Sequence, residues 1–260
     1  MNCCCICGPV KNCGPYLNKV FENIEQFGSL FDDYVIIVYY DKSDDNTLQF
    51  LQQYKQKNRR LQFFVNLKPL SSFRTHNIAN ARNYILQCIK INYSNFSYFI
   101  MMDFDDICAR DFNKEVFINC LKRDDWDSLS FDHPTGYYDF WALSKRPYVL
   151  SCHHLKNKIK GWEYITDLIQ QYDKNALIPC LSAFNGFAIY KTDKFINCYY
   201  DGRYRTDYIP KNLINESIEH SGGLDETTQQ HEDCEHRHFH IQAVLQNNAR
   251  IRICPLQLFL

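Results

Sequence analysis

The chain has 260 residues, is 45% hydrophobic and 23% charged, and carries a net charge of −1. This is enough for a sizeable core in one large or two small domains, and the composition excludes a disordered chain. A near-neutral balance offers no basic field for nucleic acid or an anionic membrane. The 13 cysteines are odd in number, and no basic-then-apolar leader opens the chain. Both features argue for reduced thiols in a cytoplasmic setting rather than a secreted disulfide framework. No apolar run reaches membrane-spanning length.

Cys3–Val10 reads as a first strand that breaks at Gly8-Pro9. Its crowded thiols, Cys3, Cys4, Cys5 and Cys7, read as small apolar residues on the two strand faces rather than as a zinc set. Residues 16–27 carry Leu17, Val20, Phe21, Ile24 and Phe27 at helical spacing. An all-apolar run over 35–40 predicts a buried parallel strand. The polar turn 41–47 can cap a helix over 48–56. A third strand is expected over 61–65, a helix over 78–91 and a fourth strand over Tyr98–Met102. Later come expected strands at 127–131, 149–152, 184–190 and 250–254, and a helix over 231–246. Residues 214–230, with Gly222-Gly223 as a hinge, read as a mobile loop able to close over a ligand.

Strands alternating with helices imply an α/β fold with a right-handed, mostly parallel sheet. Ligands bind such sheets beyond the carboxyl ends of the strands. The residues expected to converge there are Pro9, Val10, Asp41, Ser43 and Asp103. Asp103, Asp105 and Asp106 follow a buried strand directly. Clustered carboxylates in a low dielectric need a compensating partner. A hard divalent cation such as Mg²⁺ or Mn²⁺ suits them, since it takes one or two carboxylates plus phosphate oxygens.

Three stretches then fall in order. Asp41-Lys-Ser43-Asp-Asp45-Asn-Thr47 resembles the Asp-Asp-Gly-Ser-x-Asp-x-Thr turn of nucleotide-sugar glycosyltransferases with the GT-A fold. Ala81-Arg82-Asn83 resembles their Ala-Arg-Asn helix start, and Asp103-Phe-Asp105-Asp106 their Asp-x-Asp motif. Within that group the look is nearest to capsule and mannan mannosyltransferases. Tyr40 and Lys42 depart from the pattern, leaving Asp41 as the contact to base or ribose.

The resemblance implies one GT-A domain over residues 1–260, with a nucleotide-binding half (1–106) and an acceptor-binding half (107–260). It implies a nucleoside-diphosphate sugar as donor, Mn²⁺ or Mg²⁺ as cofactor, and a glycan, protein or lipid hydroxyl as acceptor. Asp105 would contact the metal, Asp103 metal or ribose, and Asp106 would support them. Arg82 would pair with diphosphate or with Asp103. The acidic pair Glu232-Asp233 would supply the general base, with Asp233 favoured. A late histidine, His238 or His236, would join the metal. Tyr137, Tyr138, Trp141 and Asn185-Gly186 are the acceptor-side candidates, since aromatic faces pack on sugars and glycine permits close approach. Two rivals share the carboxylates: a metal-dependent phosphohydrolase and a non-catalytic carbohydrate-binding protein of the same fold. The first has no need of the 41–47 turn or Arg82. The second has no need of Asp103, Asp105, Arg82 and Asp233 together.

Overall fold

The first strand sorts its side chains by parity, and the two faces of the sheet follow from that. The computed structural model describes residues 2–225 and 231–260. In β1 (Cys3–Val10), Cys4 and Ile6 enter one core while Cys5 and Cys7 enter the other. Successive strand side chains point to opposite faces, so thiols pack on both without meeting as a metal set. All 13 cysteines are free, and all but Cys88 are buried.

The chain continues through α1 (Leu17–Gly28), β2 (Asp33–Asp41), α2 (Thr47–Lys57), β3 (Leu61–Asn66), α3 (Arg74–Asn92), β4 (Tyr98–Met102), α4 (Lys114–Leu121) and β5 (Ser128–Asp132). Then follow α5 (Lys158–Gln171), β6 (Ile178–Cys180), β7 (Phe187–Lys191), α6 (Thr192–Phe195), α7 (Lys211–Ser221), α8 (Glu235–Asn247) and β8 (Ile251–Gln257). The strands form one sheet in the order β3-β2-β1-β4-β7-β5-β8-β6. Only β6 and β7 run against the others, so the sheet is mixed but mostly parallel. Helices α1, α2 and α4 bury their apolar stripes on one face, and α3 and α8 on the other.

The strand directions place the site. The carboxyl ends of β1, β2 and β4 lie along one edge, which brings Val10, Asp41 and Asp103 together. Because β7 is antiparallel to β4, with Met102 opposite Phe187, its amino end also lies at this edge. Asn185 and Gly186 therefore arrive beside Asp103. Strand β5 ends there too, and the segment after it carries residues 133–142 across the edge.

Several expectations are corrected. Strand β1 does not break at Gly8-Pro9 but pairs with β2 as far as Val10. The β4 pairing stops at Cys7, so the missing N–H of Pro9 costs no rung on that side. Residues 149–152 form no strand. Val149 gives its N–H to Ser217 Oγ (2.7 Å), and its carbonyl accepts from Ser144 Oγ (2.7 Å) and Arg237 (3.0 Å). With its backbone satisfied by side chains, the segment turns into a short 3₁₀ helix, Cys152–His154. Residues 214–221 of the expected lid belong to helix α7, whose Leu213, Ile214 and Ile218 pack beside Val149 and Leu150. Gly222 ends that helix in the left-handed region (φ 74°) rather than acting as a loop hinge. Residues 226–230 of the expected lid lie outside the described residues. Helix α8 starts at Glu235, so His231, in a turn, and Glu232, in an isolated bridge to Arg203, precede it.

Gly8 is fixed by close approach. A Cβ there would lie 2.1 Å from the Met102 carbonyl oxygen and 2.9 Å from the Phe104 ring. Gly8→Ala should destabilise the fold by about 1–3 kcal/mol, the usual cost of overpacking. Denaturant unfolding checks this, and an unchanged midpoint would refute the packing reading.

Candidate active site

Strand β4 delivers Asp103 and Asp105 to the sheet edge with Phe104 between them. Phe104 is buried against Phe21 (centroids 5.8 Å apart), while Asp103 and Asp105 on either side of it are half-buried. Asp103 donates its backbone N–H to the Gly186 carbonyl (2.8 Å), and Asp105 Oδ1 accepts from Ile107 N–H (3.1 Å). Asp106 is exposed at the rim.

Arg82 is the cation of this cluster. It is 3% exposed and reaches Asp103 at 3.0 Å, Glu235 and the His236 ring, with Phe184 under its guanidinium (4.6 Å to the centroid). Of the two partners expected for Arg82, the structure supplies Asp103. Burial pushes the Asp103 carboxyl up to about 7, against the opposing pull of Arg82. Burial and then the neighbouring Asp106 raise Asp105. Asp139, half-buried nearby, is raised to about 6, chiefly by burial. Asp103 and Glu235 thus share the Arg82 guanidinium, while Asp105 makes no ion pair among the described residues.

Asp105 is the carboxylate at this edge whose charge a bound cation would balance. Among the described residues no three His, Cys, Asp or Glu side chains converge as a metal group. Asp103 and Asp105 nevertheless offer hard oxygens, and diphosphate oxygens complete such a set in nucleotide sites. His238 does not join them. Its ring packs between Tyr199 and Tyr208 (centroids 4.5 and 4.7 Å), and Nδ1 lies 3.2 Å from the Tyr199 carbonyl. His236 stacks on Phe184 (3.8 Å) against Arg82, and burial, then Arg82, keep it neutral.

The nucleotide-side residues form a stitched pair of loops. Asp41 ends β2 and accepts from Asn66 Nδ2 (2.7 Å) on β3. Ser43 Oγ donates to the Asp41 carbonyl (3.0 Å) and accepts from Asn12 N–H (3.0 Å). Asn12 Oδ1 accepts from Asp44 N–H (2.8 Å), Asp45 Oδ2 from Gly14 N–H (2.8 Å), and Thr47 Oγ1 from Cys13 N–H (2.8 Å). The polar residues of the 41–47 turn therefore lock the β1–α1 loop. Val10 is buried and Pro9 half-buried at the mouth they frame.

On the acceptor side, Asn185 (φ 58°) takes Tyr138 N–H and Asp139 N–H on Oδ1, both at 3.1 Å, and donates Nδ2 to the Phe131 carbonyl (2.9 Å). Gly186 (φ 80°) leaves room for the Tyr138 hydroxyl, which lies 2.5 Å from where a Cβ would stand. Asn185 and Gly186 thus act on the site by fixing Asp103, Tyr138 and Asp139. Asn185→Gly keeps the backbone angle and should still cost about 1–3 kcal/mol, through the buried Phe131 carbonyl and the two N–H groups left without its amide. Thermal unfolding equal to wild type would exclude this clamp. Tyr137 is buried core, Tyr138 is exposed, and Trp141 is half-buried beside His153 (5.7 Å).

The expected acidic pair has structural partners. Glu232 Oε2 accepts from Thr75 N–H and Thr75 Oγ1, both at 2.9 Å, and so caps the start of α3. Asp233 is buried between Arg237 (3.0 Å) and His154 (3.5 Å). Burial opposes its ionisation, but Arg237 and then His154 outweigh it and hold its carboxyl below the ordinary value. Sequence reasoning missed Asn66 and Asp139 as members of the site, and only their place at the sheet edge identifies them.

An open, mostly parallel α/β sheet that presents Asp103 and Asp105 at the carboxyl ends of its strands, beside buried Arg82, agrees with the GT-A fold. The chain belongs to glycosyl transferase family 2, whose model matches residues 5–192. Among solved structures it is similar to S. aureus TarS 1–349 (14% identity, TM-score 0.50), covering 98% of this chain and 59% of that one. The same TarS fragment in complex with UDP-GlcNAc matches at 16% identity and TM-score 0.50, covering 98% and 57%. The mannosyltransferase PcManGT from Pyrobaculum calidifontis, in complex with GDP-Man and Mn²⁺, matches at 11% identity and TM-score 0.46, covering 96% and 56%. The chain spans less than two thirds of the length of each. No curated protein matches the sequence. Among the described residues no helix is long and apolar enough to cross a membrane.

Proposed function

We propose that the protein moves a hexosyl group from a nucleoside-diphosphate sugar to an acceptor hydroxyl, with Mn²⁺ or Mg²⁺ held by Asp103 and Asp105. The observation that carries this reading is the pair of half-buried carboxylates at the sheet edge, Asp103 held by Arg82 and Asp105 with no ion pair among the described residues. The UDP-GlcNAc complex of TarS adds support for a nucleotide-sugar donor on this fold.

When bound, the cation supplies positive charge to the diphosphate that leaves as the glycosidic bond breaks. Arg82 spends both terminal nitrogens on Asp103, Glu235 and the His236 ring, so its role is to aim Asp103 and balance its charge. Arg74, exposed in the first turn of α3 and close enough to act on Asp105, makes no ion pair among the described residues and is a cation placed for diphosphate oxygens. Asp41 keeps Oδ2 clear of Asn66 and faces the nucleoside from the end of β2, with Pro9 and Val10 across the mouth. Ser43 holds the Asp41 backbone, and the stitched loops keep this mouth in place before donor binds.

The test is a turnover screen. The protein is incubated with Mn²⁺ and UDP-, GDP- or dTDP-sugars, with simple glycosides as acceptors, and nucleoside diphosphate release is followed. Metal-dependent release from one class of donor is expected. Metal-dependent release of inorganic phosphate from phosphate esters, with none from nucleotide sugars, would instead support a phosphohydrolase.

A further inference from the structure

We infer that Cys120 and Cys254 are an oxidation site, a pair that peroxide converts into a disulfide tying α4 to β8. The inference is independent of the transfer reading and concerns two thiols that the proposed reaction does not use.

The geometry comes first. Cys120 lies in the last turn of α4, and Cys254 in the middle of β8. Cys120 Sγ donates to Cys254 Sγ at 3.8 Å. Among the described residues no other thiol donates to a thiol, and Cys4, Cys7, Cys13 and Cys108 give theirs to carbonyls. Closing to a disulfide of about 2.05 Å asks each sulfur to move by about 1 Å. One side of the pair is held and the other can yield. Trp126 Nε1 donates to the Cys120 carbonyl (2.9 Å) and pins the helix end. On β8, Cys254 faces Phe131 of β5, but Asp132 faces Gln257, so the register shifts directly after Cys254. A bulge of this kind leaves residues without a regular rung, and the strand can adjust there.

The chemistry assigns a role to each sulfur. The thiolate is the form that attacks peroxide. The hydrogen bond from Cys120 holds the Cys254 thiol below its ordinary value against its burial, and the Arg123 charge acts in the same direction. That bond, and then burial, raise Cys120, which keeps its proton. Cys254 is therefore the sulfur that attacks, and Cys120 the one that resolves. Both thiols are buried, so peroxide reaches them through local opening at the last turn of α4. Cys88 is the internal comparison, because it is the one half-buried thiol and exposure alone would favour it.

The step balances with hydrogen peroxide as oxidant. Cys254 sulfur bonds to one peroxide oxygen, the O–O bond breaks, and hydroxide leaves and is protonated to water. Cys120 sulfur then bonds to Cys254 sulfur, the S–O bond breaks, and that oxygen leaves as water with the Cys120 proton. Two thiols are oxidised by two electrons, and one peroxide is reduced to two waters.

The experiment treats folded wild type, Cys120→Ser and Cys254→Ser with hydrogen peroxide. Remaining thiols are then alkylated in denaturant, the peptides are mapped, and thermal unfolding is followed with and without dithiothreitol. In wild type the peptides bearing Cys120 and Cys254 should be linked, and dithiothreitol should release them. Tm should rise by about 4–12 °C, because the bond closes a long loop in the unfolded chain. Neither serine variant should show the link or the rise. Oxidised Cys88 with Cys120 and Cys254 both still free would overturn the inference. So would either thiol reaching sulfinic acid without the link, or a linked protein whose Tm falls. A Tm rise in both serine variants equal to that of wild type would also overturn it, by placing the effect elsewhere. The link is read in wild type itself, so a serine variant that folds poorly leaves the test intact.

Discussion

Asp105→Asn is expected to lower turnover by more than about 100-fold, since disturbing even the outer partners of a metal ligand costs about 10–100-fold. Asparagine keeps the shape and an oxygen able to accept Ile107 N–H, so the turn after β4 survives. What disappears is one charge at the edge. Because burial and Asp106 already oppose ionisation of Asp105, removing that charge should leave the fold as stable as wild type or more so. The check is steady-state turnover beside thermal unfolding. A variant that turns over normally would take Asp105 out of the metal site. One that unfolds early would make it a structural residue.

The second large effect concerns stability. Arg237 is fully buried, bonds Asp233 at 3.0 Å and the carbonyls of Leu143 (2.8 Å) and Val149 (3.0 Å), and also reaches Ser144 and the Trp141 carbonyl. It thus ties α8 to the 141–149 segment. Arg237→Ala should cost about 3–5 kcal/mol, because it leaves Asp233 buried and unpaired. Asp233→Asn combined with Arg237→Met should recover part of that loss, since no lone charge remains. The same pair carries a pH signature. The Asp233 carboxyl is held below its ordinary 3.8, so its contribution is fully present above that value and is lost as the pH falls through the lowered one. Denaturant unfolding at pH 7 and pH 3 checks both points. An Arg237→Ala variant within about 1 kcal/mol of wild type would refute the buried-pair account.

The parallel half of the sheet was legible because its strands are continuous apolar runs ending in polar turns. Tyr98–Met102 falls where expected, and β2 and β3 differ only at their ends. Asp41, Ser43 and Asp103 follow those strands directly, so their convergence on one edge could be read from the alternation of elements. The second half was less legible because its order comes from long-range side-chain bonds. Val149 is apolar and β-branched and reads as strand, yet Ser217, Ser144 and Arg237 take its backbone groups. Helix α7 was hidden by its polar residues. Its Leu213, Ile214 and Ile218 find their apolar surface only in the folded chain. His238 read as a ligand because the sequence shows spacing but not the rotation of α8, which turns it to Tyr199 and Tyr208. Asp139 gave no signal at all, since the residue that positions it, Asn185, lies 46 positions away.

The most direct test of the central claim, that the Asp103–Asp105 edge holds a nucleoside diphosphate through a divalent cation, is calorimetry on the wild-type protein. UDP and GDP are titrated in Mn²⁺ and again in excess EDTA. Saturable binding of one of them in Mn²⁺, weakened at least about ten-fold by EDTA, is the predicted result, since ligand metals carry that order of affinity. Equal affinity in both buffers, or no binding of either nucleotide in Mn²⁺, would contradict it.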